Sequence, residues 1–85
     1  MAYEVLKFEA DWCGPCKALK PVFEKVKEQV EGVDFTAVDV DTNSELAAKM
    51  KVMSVPTLVF LKDGEEQDRL VGLVSEEQLV NAVNE

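Results

Sequence analysis

An α/β fold built on a mixed sheet is predicted for this 85-residue chain, and three features predict it. In the first half the apolar spacing passes from strand-like to helical and back, which requires a crossover between parallel strands. In the second half two short apolar runs flank Lys62-Asp63-Gly64, a hairpin signature that adds antiparallel strands. Ser75 and Gln78 stand three apart ahead of a final apolar stripe and mark one more helix. The predicted order is strand, helix, strand, helix, strand, strand, helix.

The first strand covers residues 3–10, with Val5, Leu6 and Phe8 as its apolar content. Lys7 and Glu9 interrupt it, so either one face is incompletely buried or a polar group sits inside. Residues 14–30 form the first helix. Leu19, Val22, Phe23, Val26 and Val30 fall on one stripe, while Lys17, Lys20, Glu24, Lys25, Lys27 and Glu28 decorate the other side. Pro21 lies within it, lacks an N–H and is expected to kink it; Glu31 and Gly32 end it. The second strand covers residues 33–40. Thr42 and Glu45 are expected to form a capping box for a short second helix, with Leu46, Ala47 and Met50 inward. Residues 57–61 and 66–71 are the hairpin strands, and Leu79, Val80, Ala82 and Val83 give the last helix its packing face. No repeat, linker or low-complexity segment interrupts the chain, so residues 1–85 are expected to be one domain.

A hydrophobic fraction of 47% supplies a core without a disulfide or metal staple. The net charge is −8, from 17 acidic and 9 basic residues. No Lys/Arg cluster breaks the acidic surface, so nucleic acid and anionic membrane are disfavoured partners. The charge serves solubility, or steering toward partners with basic docking faces. No apolar run is long enough to span a bilayer, and Met1-Ala2-Tyr3-Glu4 leads directly into the first strand pattern, without the n- and h-regions of a signal peptide. Two cysteines spaced C-x-x-C suit a reactive pair in a reducing compartment, and a cytoplasmic location is expected.

Trp12-Cys13-Gly14-Pro15-Cys16-Lys17 sits where the first strand hands over to the first helix. Cys13 is thereby placed at a helix N-terminus, where unpaired N–H groups and the helix dipole stabilise a thiolate, the attacking species in disulfide exchange. Cys16 lies one turn further on, at a helical Cα separation of about 5–6 Å that a disulfide tolerates. Pro15 falls where the helix needs no N–H, and Gly14 permits another chain to approach closely. The pattern implies that Cys13 attacks a substrate disulfide and that Cys16 then resolves the mixed disulfide. The same spacing also serves half a zinc site, or two inert helical thiols. No His and no third Cys is available to complete a zinc site, so no metal is expected.

With these residues in view, the chain resembles a thioredoxin. The resemblance rests on the WCGPCK run, on Val55-Pro56-Thr57 opening the third strand, and on Val38-Asp39-Val40-Asp41 closing the second. Pro21, Lys62-Asp63-Gly64 and Val71-Gly72 also match. It implies a thioredoxin-like fold: a four-stranded mixed sheet of order 2-1-3-4 with three flanking helices, without the family's usual extra N-terminal strand and helix. It further implies that Pro56 is cis and lies beside the cysteines, and that substrates pair with backbone near Val55, Pro56 and Thr57, against Trp12 and Gly72. Taken without the family, Pro56 is a trans strand-edge proline, Gly72 a strand end or bulge, and Trp12 a partly buried aromatic. The absent strand leaves the second strand as an edge flanked by Asp34, Asp39 and Asp41, which discourage edge pairing.

One departure concerns acid–base chemistry. The family's buried Asp, six residues before the first cysteine, is Lys7 here, and the Lys that often partners it is Ala37. Glu9 and Asp39 are the candidate replacement carboxylates, with Lys7 a candidate tuning residue; without a side-chain base, water must serve the inner thiol. The implied function is that of a monomeric protein-disulfide reductase and electron carrier. It binds no cofactor and cycles between the Cys13/Cys16 dithiol and disulfide. Its partners are disulfide-bearing proteins, and its electrons come from NADPH through a thioredoxin reductase. Gly14-Pro15 between the cysteines favours a reductase over an oxidant or isomerase, and a glutathione-dependent role lacks the expected motif. Two alternatives stand: a dedicated donor to one enzyme such as ribonucleotide reductase, and a non-catalytic redox-sensing or docking module.

Overall fold

The structure, a computed structural model, describes residues 3–84. Met1 and Ala2, taken above as leading into the first strand, and Glu85 lie outside the described residues. The elements follow the predicted order: β1 (Tyr3–Glu9), α1 (Gly14–Gln29), β2 (Val33–Asp39), α2 (Ser44–Lys49), β3 (Thr57–Lys62), β4 (Glu65–Val71) and α3 (Glu76–Val83).

The sheet order is β2-β1-β3-β4. β1 and β2 run parallel from Tyr3 opposite Val33 to Glu9 opposite Asp39. β3 is antiparallel to both β1 and β4. The central positions explain the composition: every residue from Thr57 to Leu61 is buried, whereas β4 at the edge is mostly exposed or half-buried. Asp63 (φ 54°) and Gly64 (φ 82°) both occupy the left-handed region, which makes the β3–β4 connection a tight two-residue turn. A register shift between Phe60 and Leu61 marks a bulge near that turn.

Strand alternation splits the core in two. Tyr3 and Val5 pack with Phe35, Leu58 and Phe60 against Leu19, Phe23 and Val26 of α1 and Leu79, Ala82 and Val83 of α3. Leu6, Phe8, Val38, Val59 and Leu61 face the other way, toward Ala47 of α2, with Leu46 and Met50 half-buried beside them. The α1 stripe is thus the predicted one. Burial of Leu19, Phe23 and Val26 contributes about 1.5–3 kcal/mol for each side chain. The helix runs through Pro21 and ends one residue early, with Val30 already extended.

At α3 the predicted capping box is present in both directions: Gln78 N–H donates to Ser75 Oγ at 3.1 Å, and Ser75 N–H donates to Gln78 Oε1 at 3.0 Å. At α2 the expectation fails. The helix begins at Ser44 with Asn43 as its N-cap, and no side chain caps it. Thr42 therefore sits one residue too early. Its hydroxyl instead donates to the Asp39 carbonyl at 3.4 Å, as does the Asn43 amide at 3.3 Å, in the turn leaving β2.

Candidate active site

The C-terminal end of β1 carries the site. After Glu9 the chain turns through Asp11 and Trp12, and Cys13 N–H donates to Ala10 O at 3.1 Å. Cys13 is the N-cap of α1, extended at φ −91° and ψ 109°. Its Sγ accepts the N–H of Cys16 at 3.1 Å, so the sulfur fills the place that a Ser or Asp oxygen takes at an ordinary helix start. Cys13 and Cys16 are joined as a disulfide with their Cα atoms 5.3 Å apart. Exposure does not distinguish the two, at 4% and 3%; position does. Only Cys13 stands at the mouth of the helix, where the unpaired N–H groups converge. Gly14, Pro15 and Lys17 are exposed around it, leaving the approach open.

Antiparallel pairing of β3 with β1 places Thr57 opposite Phe8, which brings the residues before β3 alongside the end of β1. The Val55–Pro56 peptide is cis, contrary to what the residue alone suggests and as the resemblance implies. Pro56 and Thr57 are buried, and Thr57 Oγ1 donates to Ser54 O at 2.7 Å, closing the loop. Val55 and Val40 pack against Ala10, Cys13 and Cys16. Gly72, at φ 90°, donates its N–H to Pro56 O at 2.8 Å, which ties the end of β4 to the cis-proline loop. An L side chain at that φ is strained.

Trp12 corrects the residue-level expectation of partial burial. It is 70% exposed, held by a hydrogen bond from Nε1 to Asp41 Oδ2 at 3.1 Å. With Val40, Val52, Met53, Ser54 and Val55 it lines a cleft of about 170 Å³ beside the cysteines. Met53 (92% exposed), in that cleft, and Leu73 (55% exposed), next to Gly72, are exposed large apolar residues that the sequence does not single out. Each stands close to a motif that positions backbone, Val55-Pro56 or Gly72, but its apolar neighbours Val52 and Val74 leave nothing in the local pattern to mark it as exposed.

Behind the cysteines, Lys7 is the polar group that the broken alternation foretold. It is 1% exposed. Its Nζ lies 2.9 Å from Glu9 Oε1 and 4.6 Å from the centroid of the Phe23 ring, so a carboxylate and a π-face together compensate its burial. Ala37 stands opposite Lys7 on β2 and offers no charge. Asp39 is engaged elsewhere, its Oδ1 accepting Asp41 N–H at 2.8 Å. Among the described residues no cluster of three or more His, Cys, Asp or Glu could hold a metal ion, and no helix is long and apolar enough to cross a membrane.

The family model described as Thioredoxin matches residues 2–85. The thioredoxin of Staphylococcus aureus is 43% identical over 82 residues, which cover 95% of this chain and 79% of that protein. Among solved structures, a point-mutant thioredoxin from Halobacterium salinarum superposes with a TM-score of 0.91 at 41% identity. That match covers 96% of this chain and 72% of the other. Thioredoxin from Fasciola hepatica gives 0.91 at 42% identity, over 98% and 79%.

Proposed function

The chain belongs to the thioredoxin family and is a thiol–disulfide oxidoreductase; from that premise we propose how its own residues perform the exchange. Reduced Cys13, as N-cap thiolate, attacks one sulfur of a substrate disulfide. The bond formed is Cys13 Sγ to substrate sulfur, and the electron pair of the broken bond leaves on the other substrate sulfur. Cys16 then loses its proton and attacks Cys13 Sγ. This forms the Cys13–Cys16 disulfide and expels the second substrate sulfur as thiolate. Two electrons pass from the dithiol to the substrate, and no bound cofactor takes part.

The single observation that carries this assignment is the hydrogen bond from Cys16 N–H to Cys13 Sγ at a helix N-terminus. The same donor stabilises negative charge on that sulfur once the disulfide opens. Substrate backbone pairs with Val55, Pro56 and Thr57, and its side chains rest on Trp12 and against the opening at Gly72. The exposed apolar rim of Met53 and Leu73 supports that placement. The protein acts as a cytoplasmic, monomeric, single-domain electron carrier, recharged from NADPH by a thioredoxin reductase.

A coupled assay tests the assignment. NADPH oxidation is followed with a thioredoxin reductase and a protein disulfide, for wild type, Cys13→Ser and Cys16→Ser. Turnover is expected to vanish in Cys13→Ser, and Cys16→Ser is expected to accumulate a mixed disulfide through Cys13. Equal turnover in all three would remove the mechanism.

A further inference from the structure

The second chemical step leaves a question that the two sulfurs do not answer. Cys16 is 3% exposed, and it must release a proton before it can attack Cys13. Cys16 borders a small cavity, about 220 Å³, lined also by Glu9, Ala10, Asp11, Lys17 and Lys20. Glu9 is the carboxylate in that lining whose position is fixed from behind. Its Oε1 lies 2.9 Å from the ammonium of buried Lys7, and its side chain remains 33% exposed. Lys7 in turn is immobilised by burial and by the Phe23 ring beside it. Burying a lysine is costly without a partner. Here the partner is a carboxylate that lines the same polar cavity as the inner thiol.

We infer that Glu9 is the proton acceptor for Cys16 and that Lys7 is the positioning residue that holds it there. The inference rests on the exchange reading above. In the resolving step the Cys16 S–H proton passes to the Glu9 carboxylate, directly or through a water in the cavity. The Cys16 thiolate attacks Cys13 Sγ, the Cys13–substrate S–S bond breaks, and the substrate thiolate departs. The proton then returns from Glu9 to solvent or to the leaving sulfur. When the disulfide is reduced again, the same carboxyl returns the proton to Cys16.

The other charged groups nearby are accounted for. Lys17 and Lys20 are exposed cations that cannot accept a proton from a thiol while charged. Asp39, opposite Glu9 on β2, has its Oδ1 committed to Asp41 N–H. Asp11 also lines the cavity but is exposed, and among the described residues no buried cation holds it in place as Lys7 holds Glu9. It therefore serves as the control.

Stopped-flow reaction of the reduced protein with one equivalent of the chromogenic disulfide dithiobis(nitrobenzoate) separates the steps. The first thionitrobenzoate released reports attack by Cys13, and the second reports resolution by Cys16. Glu9→Gln, which keeps an oxygen for Lys7, is expected to leave the first phase within about twofold of wild type. It should slow the second by about tenfold or more at neutral pH, general acid–base catalysis being worth roughly 10²–10⁴. Its second phase should then climb with pH where the wild type is flat. Asp11→Asn should resolve at the wild-type rate. In Glu9→Ala, added formate should restore the second phase in proportion to its concentration, which loss of a structural contact would not allow. A Glu9→Gln second phase at the wild-type rate across pH overturns the inference, as does no rescue by formate, or the loss appearing in Asp11→Asn instead. Failure of the wild type to release any thionitrobenzoate overturns the exchange reading itself.

Discussion

Arg69 and Glu66 lie on β4, and their pairing makes a small part of the fold's stability depend on pH. Arg69 Nε and Nη2 each reach a Glu66 carboxylate oxygen at 2.7 Å, and Nη2 also donates to the Met50 carbonyl at 2.7 Å. The hydrogen bond from Arg69 holds the Glu66 carboxyl below its ordinary value near 4.5; partial burial pulls the other way, and the Arg69 charge adds to the lowering. A carboxyl with a depressed folded-state pKa stabilises the fold above its unfolded value, and that contribution fades as pH falls through the folded one. The pair is about one-third exposed, so its contribution is screened to well under about 1 kcal/mol. Between about pH 5 and about pH 3 the urea midpoint of the wild type should therefore fall more steeply than that of Arg69→Ala. At neutral pH, Arg69→Ala should itself cost about 1–2 kcal/mol, because the Met50 carbonyl loses its partner. Parallel slopes would remove Glu66 from the pH dependence. Nothing in the sequence announces this contact, since residues 50 and 69 meet only once the sheet and α2 are assembled. Cys13, Cys16 and Lys7 were legible because each breaks a local pattern: two by spacing and one by alternation.

At the scale of elements, helix starts determined how much could be read. Ser75 and Gln78 occupy the N-cap and third positions, and both reciprocal hydrogen bonds form. Ser75→Ala should lower stability by about 1 kcal/mol in urea unfolding, with active-site rates unchanged. A loss near zero would mean that tertiary packing of Leu79, Ala82 and Val83 alone holds α3. Thr42 and Glu45 show the same spacing without the box, because the turn after Asp39 draws the Thr42 and Asn43 side chains to one carbonyl. Spacing alone cannot tell which oxygen a hydroxyl will choose. Strand assignments were more secure: the continuous apolar run of β3 and the sparse apolar content of β4 follow directly from central and edge placement. Pro56 is the opposite case. Its cis peptide and its place beside the cysteines came from resemblance, since an isolated X–Pro bond favours trans.

Over the whole molecule, the chain carries a net charge of −8, and its cysteines are buried while Trp12, Met53 and Leu73 are exposed. A partner with a basic docking face would be steered by the long-range field, whereas the docking proposed above makes its final contact through apolar residues. Raising ionic strength from about 0.01 M to about 1 M shortens the screening length from about 30 Å to about 3 Å. The kcat/KM for such a partner should fall several-fold, while reaction with a small neutral disulfide stays level. No difference between the two would assign the charge to solubility alone. The parallel crossover and the hairpin were legible in the sequence, whereas the sheet order that sets the end of β1 beside the start of β3 came from the resemblance. Both chemical steps depend on the sulfur at the start of α1 being the one that reacts first. Timed alkylation of the reduced protein with iodoacetamide near neutral pH, read by peptide mass spectrometry, measures that directly. Cys13 is expected to be modified about tenfold faster than Cys16, as a stabilised thiolate should be. Equal rates at the two sulfurs, or faster modification of Cys16, would contradict it.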